Sequence, residues 1–136
     1  GQYGMVIPRF VSMALAGDPI PVYGDGSQTR CFCHVADAIA ALEKLINCDA
    51  AVGEVVNIGS TEEVTMLELA KRVKARSKSK SAIKKIPYNK AFGPGFEDMQ
   101  RRVPCIDKVK KLIGWRPTSN LDKILDDIIA EQQAKP

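Results

Sequence analysis

Histidine and tryptophan each occur once in the 136 residues, and Phe, Trp and Tyr together make up only 6% of them. No apolar run approaches the roughly 20 residues needed to cross a bilayer, so no membrane span is expected. The first residues, Gly1-Gln2-Tyr3, show no charged region leading into an apolar stretch, so no secretory signal is expected, and the abrupt start reads as that of a fragment. The four cysteines, at 31, 33, 48 and 105, fall in no Cys-x-x-Cys pair. Cys31 and Cys33 would share one side of a regular strand and His34 the other, which leaves too few ligands on one side for a metal. Reduced, buried, structural thiols in a cytoplasmic setting are expected instead. The charge is near balance, with 20 Lys or Arg against 16 Asp or Glu, a net +4 that does not by itself mark a nucleic-acid binder.

Two catalytic signatures are also missing. There is no three-glycine turn of the kind that lets a helix N-terminus approach a dinucleotide pyrophosphate. Gly24 and Gly26 come closest but lack a third glycine. The tyrosines are Tyr3, Tyr23 and Tyr88, and none has a lysine four residues later. No catalytic, cofactor-binding or metal-binding residue is therefore nominated.

What is present is an ordinary globular composition, 45% hydrophobic and 26% charged, in a length suited to one domain over residues 1–136. Helices are expected at Val6–Leu15, stopped by Gly17, and at Ala38–Ile46, with Ala38, Ile39, Leu42, Leu45 and Ile46 as the inward face. Thr65 and Glu68 form a capping box for a third helix that fades into the Lys-Ser alternation at 76–81. Brief helices follow at Asp107–Ile113, before Gly114, and Leu121–Gln133, capped by Ser119 or Asn120. Strands are expected at Ile20–Tyr23, from Gln28 to Val35, at Glu54–Ile58 as a buried strand, and over Ala82–Ile86. Lys90–Met99, with its glycines, proline and phenylalanines, reads as a loop.

The organising stretch is Val22–Asp37, VYGDGSQTRCFCHVAD. Asp25-Gly26 is a turn signal that predicts a hairpin between the first two strands. Asp37 stands where a short carboxylate can cap a helix, and His34 is expected to pack rather than to carry acid–base chemistry. Arg30 sits at the mouth of a strand, where a guanidinium can meet an anion such as a phosphate or pair with a neighbouring carboxylate.

Together with GMVIPRFVSMALAGDPIPVYGDG, GEVVNIGS at 53–60, Arg101-Arg102-Val103-Pro104 and Ile113-Gly114-Trp115-Arg116-Pro117, this stretch resembles the carboxyl-terminal half of extended short-chain dehydrogenases. These are NAD-dependent nucleotide-sugar epimerases and dehydratases, such as UDP-glucose 4-epimerase and UDP-glucuronate decarboxylase. The resemblance implies an α/β fold, with few short strands, several helices and no amino-terminal Rossmann half. It implies a nucleotide-sugar ligand, a UDP-, dTDP- or GDP-hexose, with NAD needed in the complete enzyme and this chain inactive alone. It places Arg30 and Arg102 on the pyrophosphate, Tyr23 and Val6 on the base, and Gln28 near the phosphates or sugar. Cys105 departs from the family's usual Asp after Arg-x-Pro. Association with a cofactor-binding half, or a homo-oligomer, is expected. The alternative is a non-catalytic module that binds polyanions or nucleic acid through residues 71–90, which hold nine Lys or Arg and no acid. Tyr88 as its only aromatic argues against nucleic acid.

Overall fold

The computed structural model describes residues 5–95 and 97–135. Gly1, Gln2 and Tyr3, read as an abrupt start, and Phe96, read as part of a loop, lie outside the described residues. The fold is α/β, with more helix than strand. Its elements are α1 (Val6–Ala16), β1 (Ile20–Tyr23), β2 (Thr29–Cys31), α2 (Val35–Ile46), β3 (Glu63–Thr65), α3 (Met66–Arg76), β4 (Ile83–Ile86), α4 (Tyr88–Phe92), α5 (Asp107–Ile113) and α6 (Leu121–Ala134), with a short 3-10 turn at Asp49–Ala51.

The chain divides into two compact units. The first takes the residues up to Thr29, Val64–Arg101 and the chain from Leu125. The second takes Arg30–Glu63 and Arg102–Ile124.

The first unit is built on the parallel pair β1–β4, in which Ile20 lies opposite Ile83 and Tyr23 opposite Ile86. A parallel pair needs a crossover, and α3 lies in that connection. Ile7, Phe10, Val11 and Ala14 of α1, Ile20 and Val22 of β1, and Leu69, Ala70 and Val73 of α3 are buried. Each large side chain among them contributes about 1.5–3 kcal/mol by leaving water. Thr65 caps α3 as read, its Oγ1 accepting from the Glu68 N–H at 3.1 Å. Ser79 and Ser81 turn the Lys-Ser alternation back onto α1, both donating hydroxyl hydrogen bonds to the Ala14 carbonyl, at 2.6 and 3.5 Å.

The expected hairpin does not form. β1 pairs with β4, and β2 with β3. The loop between β1 and β2 is held from other directions. Ser27 donates its N–H and hydroxyl to Asp25 Oδ1, at 2.9 and 2.7 Å, closing a local turn. The N–H groups of Leu67 and Met66, at the start of α3, donate to the carbonyls of Gly26 and Gln28, both at 3.0 Å. Gly26 has φ +76°, and a Cβ there would meet Val22 Cγ1 at 2.7 Å and Leu67 Cβ at 2.9 Å. Glycine is therefore required both for the turn and for the close approach of α3.

In the second unit, Ala41, Ile106, Val109 and Trp115 form a buried cluster, against which Cys33, Val56, Ile58 and Ile113 pack. β2 ends at Cys31, short of the expected Val35, because the chain turns at His34 into α2. His34 is the N-cap, its Nδ1 accepting from the Ala36 N–H at 3.0 Å. Asp37 is thus not the cap. It lies inside the first turn of α2 and is buried.

Three further expectations are corrected here. Glu54–Ile58 is not a strand, and Val55 is 85% exposed. The side of α2 read as inward is largely outward: Ile39, Leu42 and Ile46 are exposed, while Ala41 and Asp37 are buried. The cysteines are free but not deeply buried, since Cys31, Cys33 and Cys48 are half-buried and Cys105 is exposed. In the first unit, the stretch read as a loop from Lys90 opens with the end of α4. α5 and α6 follow the reading closely, with Asn120 Oδ1 capping α6 by accepting from the Lys123 N–H at 2.9 Å. Among the described residues, no helix is long and apolar enough to cross a membrane.

Candidate functional site

Arg30 and Arg102 are far apart in sequence, and one backbone feature relates them. Thr29 and Arg101 form a parallel bridge, with the Thr29 N–H donating to the Gln100 carbonyl at 2.8 Å. Paired strands run about 4.8 Å apart. Arg30 and Arg102 each follow a bridged residue in the same chain direction. Both open a segment of the second unit. Arg30 is half-buried and already engaged, and Arg102 is exposed. Two guanidinium groups at neighbouring backbone positions suit a multivalent anion, because each offers a planar fork to phosphate oxygens.

The other nominated residues lie in the first unit. Tyr23 ends β1, half-buried. The Arg9 guanidinium, from α1, donates to Tyr23 Oη at 2.8 Å and stands 5.7 Å from the ring centroid. Phe92 meets the Tyr23 ring edge-on, with centroids 5.2 Å apart and planes at 67°. Tyr88 adds a third ring 6.3 Å from Phe92 and donates its hydroxyl to Asp98 Oδ2 at 3.3 Å. Sequence reasoning missed Arg9 and Phe92 as neighbours of Tyr23. Tyr88 and Phe92, four residues apart, carried the helical spacing that could have grouped them. Gln28 is buried, and its side-chain amide donates to the Tyr23 carbonyl at 3.3 Å, so it braces the loop that follows Tyr23. Val6 begins α1, half-buried.

A polar centre that the sequence reading assigned differently surrounds Asp37. Its carboxylate accepts the Thr118 hydroxyl at 2.6 Å and the N–H groups of Thr118 and Ser119, each at 3.0 Å. The Trp115 indole N–H donates to the Asp37 carbonyl at 2.9 Å. Burial pushes the Asp37 carboxyl up. The Thr118 hydroxyl, the two N–H groups and the nearby His34 pull it down further, so its pKa lies below the ordinary value. Burial, aided by the Asp37 charge, raises the Cys33 thiol and keeps it protonated. Cys105 Sγ lies 3.5 Å from Asp107 Oδ2, at the entrance to α5. Among the described residues, no cluster of three or more His, Cys, Asp or Glu side chains could hold a metal ion.

The Gly24-Asp25-Gly26 turn is filled by protein, since a Cβ at Gly24 would meet the Tyr88 ring at 2.5 Å and the space at Gly26 is taken by Val22 and Leu67. The basic run is partly committed elsewhere, with Arg76 making a two-pronged ion pair with Asp126 at 2.7 and 2.6 Å.

The fold and the motif order together define an extended short-chain dehydrogenase, and the chain matches the carboxyl-terminal part of that fold. The chain belongs to the GDP-mannose 4,6 dehydratase family, whose model matches residues 3–128. It is 39% identical over 133 residues to the UDP-N-acetyl-alpha-D-glucosaminuronate decarboxylase of Bacillus cytotoxicus, covering 95% of this chain and 40% of that protein. An epimerase from Methanothermobacter thermautotrophicus superposes with a TM-score of 0.85 at 26% identity, covering 96% of this chain and 38% of the other. UDP-glucuronic acid 4-epimerase from Bacillus cereus, in complex with UDP-glucuronic acid and NAD, superposes with a TM-score of 0.80 at 25% identity, covering 94% and 40%. The chain thus spans about two fifths of the length of the proteins it resembles.

Proposed function

We propose that residues 1–136 act as the nucleotide-sugar-binding region of an NAD-dependent epimerase, dehydratase or decarboxylase, with Arg30 and Arg102 holding the diphosphate. The observation that carries this reading is the parallel bridge between Thr29 and Arg101, which brings the two arginines out on adjacent backbone segments. A diphosphate offers each guanidinium its own pair of oxygens. Tyr23 supplies the flat wall for a base, with Val6 as a further apolar contact. Gln28 orients Tyr23 through the Tyr23 carbonyl and stands near the phosphates or sugar. The ligand is a UDP-, dTDP- or GDP-hexose, and the Bacillus cereus epimerase bound to UDP-glucuronic acid favours UDP. NAD supplies hydride transfer in the complete enzyme. This chain's own part is to bind and orient the sugar nucleotide in a cytoplasmic enzyme, and alone it neither turns over substrate nor holds NAD.

Calorimetry with UDP and dTDP tests the reading. Arg30→Ala and Arg102→Ala should each cost about 1.5–3 kcal/mol of affinity, the expected worth of a hydrogen bond to a charged group. The double variant should lose less than the sum, since both residues act on one diphosphate. Arg→Lys should not restore full affinity. Lys80→Ala, in the basic run, should bind as the parent does. Equal loss from Lys80→Ala would replace the clamp with a diffuse polyanion site.

A further inference from the structure

Arg9 stands where neither helix stability nor ion pairing calls for it. It is the fourth residue of α1, whose first turn holds no acidic residue, and a cation near that positive end of a helix is disfavoured. It is exposed, and among the described residues it makes no ion pair. The guanidinium's one hydrogen bond there goes to the Tyr23 hydroxyl, at 2.8 Å. Asp98, the acid of the same aromatic cluster, accepts instead from the Tyr88 hydroxyl.

The contact with Tyr23 leaves an edge of one chemical kind. An arginine carries five N–H groups and no acceptor, and most of them remain to be given after Tyr23 has taken its share. The Tyr23 oxygen, while accepting from Arg9, still has its own hydrogen to give. The polar tip of Tyr23 is therefore ringed by donors alone. Beside it lie the half-buried Tyr23 ring and the exposed Phe92 ring, which meets Tyr23 edge-on. A flat apolar face with a donor-only edge is complementary to a planar heterocycle whose own edge accepts.

We infer that Arg9, together with the Tyr23 hydroxyl, reads the base of the nucleotide and admits uracil or thymine over cytosine. The C4 oxygen of uracil or thymine accepts from either group. Cytosine carries an amino group at the same place, which sets donor against donor and leaves both unpaired. The two kinds of pyrimidine are nearly the same in shape, so the discrimination falls on this one contact. The inference rests on the reading above that Tyr23 walls the base, and it adds Arg9 as the residue that sets specificity there. All the groups involved belong to the first unit.

Calorimetry of the 136-residue chain with UDP, CDP and inorganic pyrophosphate tests this, each variant being compared at a temperature where circular dichroism shows it folded. The parent should bind UDP about tenfold more tightly than CDP, the lower end of what a hydrogen bond to a charged group supplies. Arg9→Met keeps the length of the side chain and removes the donors. It should weaken UDP about tenfold and bring the UDP-to-CDP ratio to about one, with pyrophosphate affinity not falling with it. Tyr23→Phe keeps the ring, removes the hydroxyl and should also lower the ratio, whereas an Arg9 that merely braced Tyr23 would weaken both nucleotides equally. Equal binding of UDP and CDP by the parent overturns the inference. So does an Arg9→Met chain that loses UDP, CDP and pyrophosphate alike, the sign of a general cationic pull. Absence of any UDP binding overturns the inference together with the proposed function. A UDP-to-CDP ratio that persists while Arg30→Ala and Arg102→Ala leave pyrophosphate binding unchanged strikes only the arginine clamp.

Discussion

α1 and α2 are of similar length, 11 and 12 residues, and both carry apolar residues at helical spacing, yet they use them in opposite ways. α1 turns Ile7, Phe10, Val11 and Ala14 into its core. α2 turns only Ala41 and the hydrogen-bonded Asp37 inward and leaves its large residues outside. The two strand-like segments of the same units differ in parallel. Ile20–Tyr23 finds its ladder in Ile83–Ile86, whereas Val55–Gly59 finds none among the described residues. An apolar stripe at helical spacing does not by itself say which side of a helix its own core covers. Where α2 does pack, the polar network of Asp37 stands beside the apolar contact of Ala41 with Ile106, Val109 and Trp115.

The comparison is sharpest if matched truncations are made. Phe10→Ala should cost about 4 kcal/mol of unfolding free energy in urea titrations, the range for emptying a buried aromatic site. Asp37→Ala comes next, at about 3 kcal/mol, because it leaves the N–H groups of Thr118 and Ser119 without their acceptor. Its loss should show as increased Trp115 fluorescence quenching by iodide before global unfolding. Should Asp37→Ala be silent, the packed side of α2 does not rest on this network.

Acid gives a graded version of the same test. The folded pKa of Asp37 lies below the ordinary carboxylate value, so the folded state favours the carboxylate. Its contribution is complete above that unfolded value and is lost as pH falls through the lower folded value. Thermal midpoints of the parent should therefore drop more steeply below about pH 4 than those of Asp37→Asn, which has no such carboxylate to protonate. Equal slopes would assign the acid sensitivity to other groups.

The smallest effect is expected on the outward stripe. Leu42→Ala should change stability by no more than about 0.5 kcal/mol, as for surface substitutions generally. A loss near that of Phe10→Ala would mean that Leu42 is buried in solution, most simply by self-association, and the contrast between the helices would collapse.

Sequence alone determined the local elements whose signals are local. The Thr65 cap of α3, Gly17 and Gly114 as helix stops, the Ile20–Tyr23 strand and the Asp107–Ile113 helix all appear where residue chemistry puts them. The ordered motifs around Val22–Asp37 and Ile113–Pro117 also sufficed for the family, because they are long and specific. Tertiary structure alone decided pairing and direction. Asp25-Gly26 permits a turn, but hydrogen bonds from α3 to the loop and the parallel ladder with β4 decide that no hairpin follows. Asp37 reads as a cap until Thr118 and Ser119, remote in the chain, arrive to use its oxygens and His34 takes the cap. The Thr29–Arg101 bridge, one residue before both Arg30 and Arg102, is likewise encoded by no local pattern. Periodicity specifies that a stripe exists and where it lies on a helix; which side meets protein depends on contacts that form only when distant segments of chain are brought together.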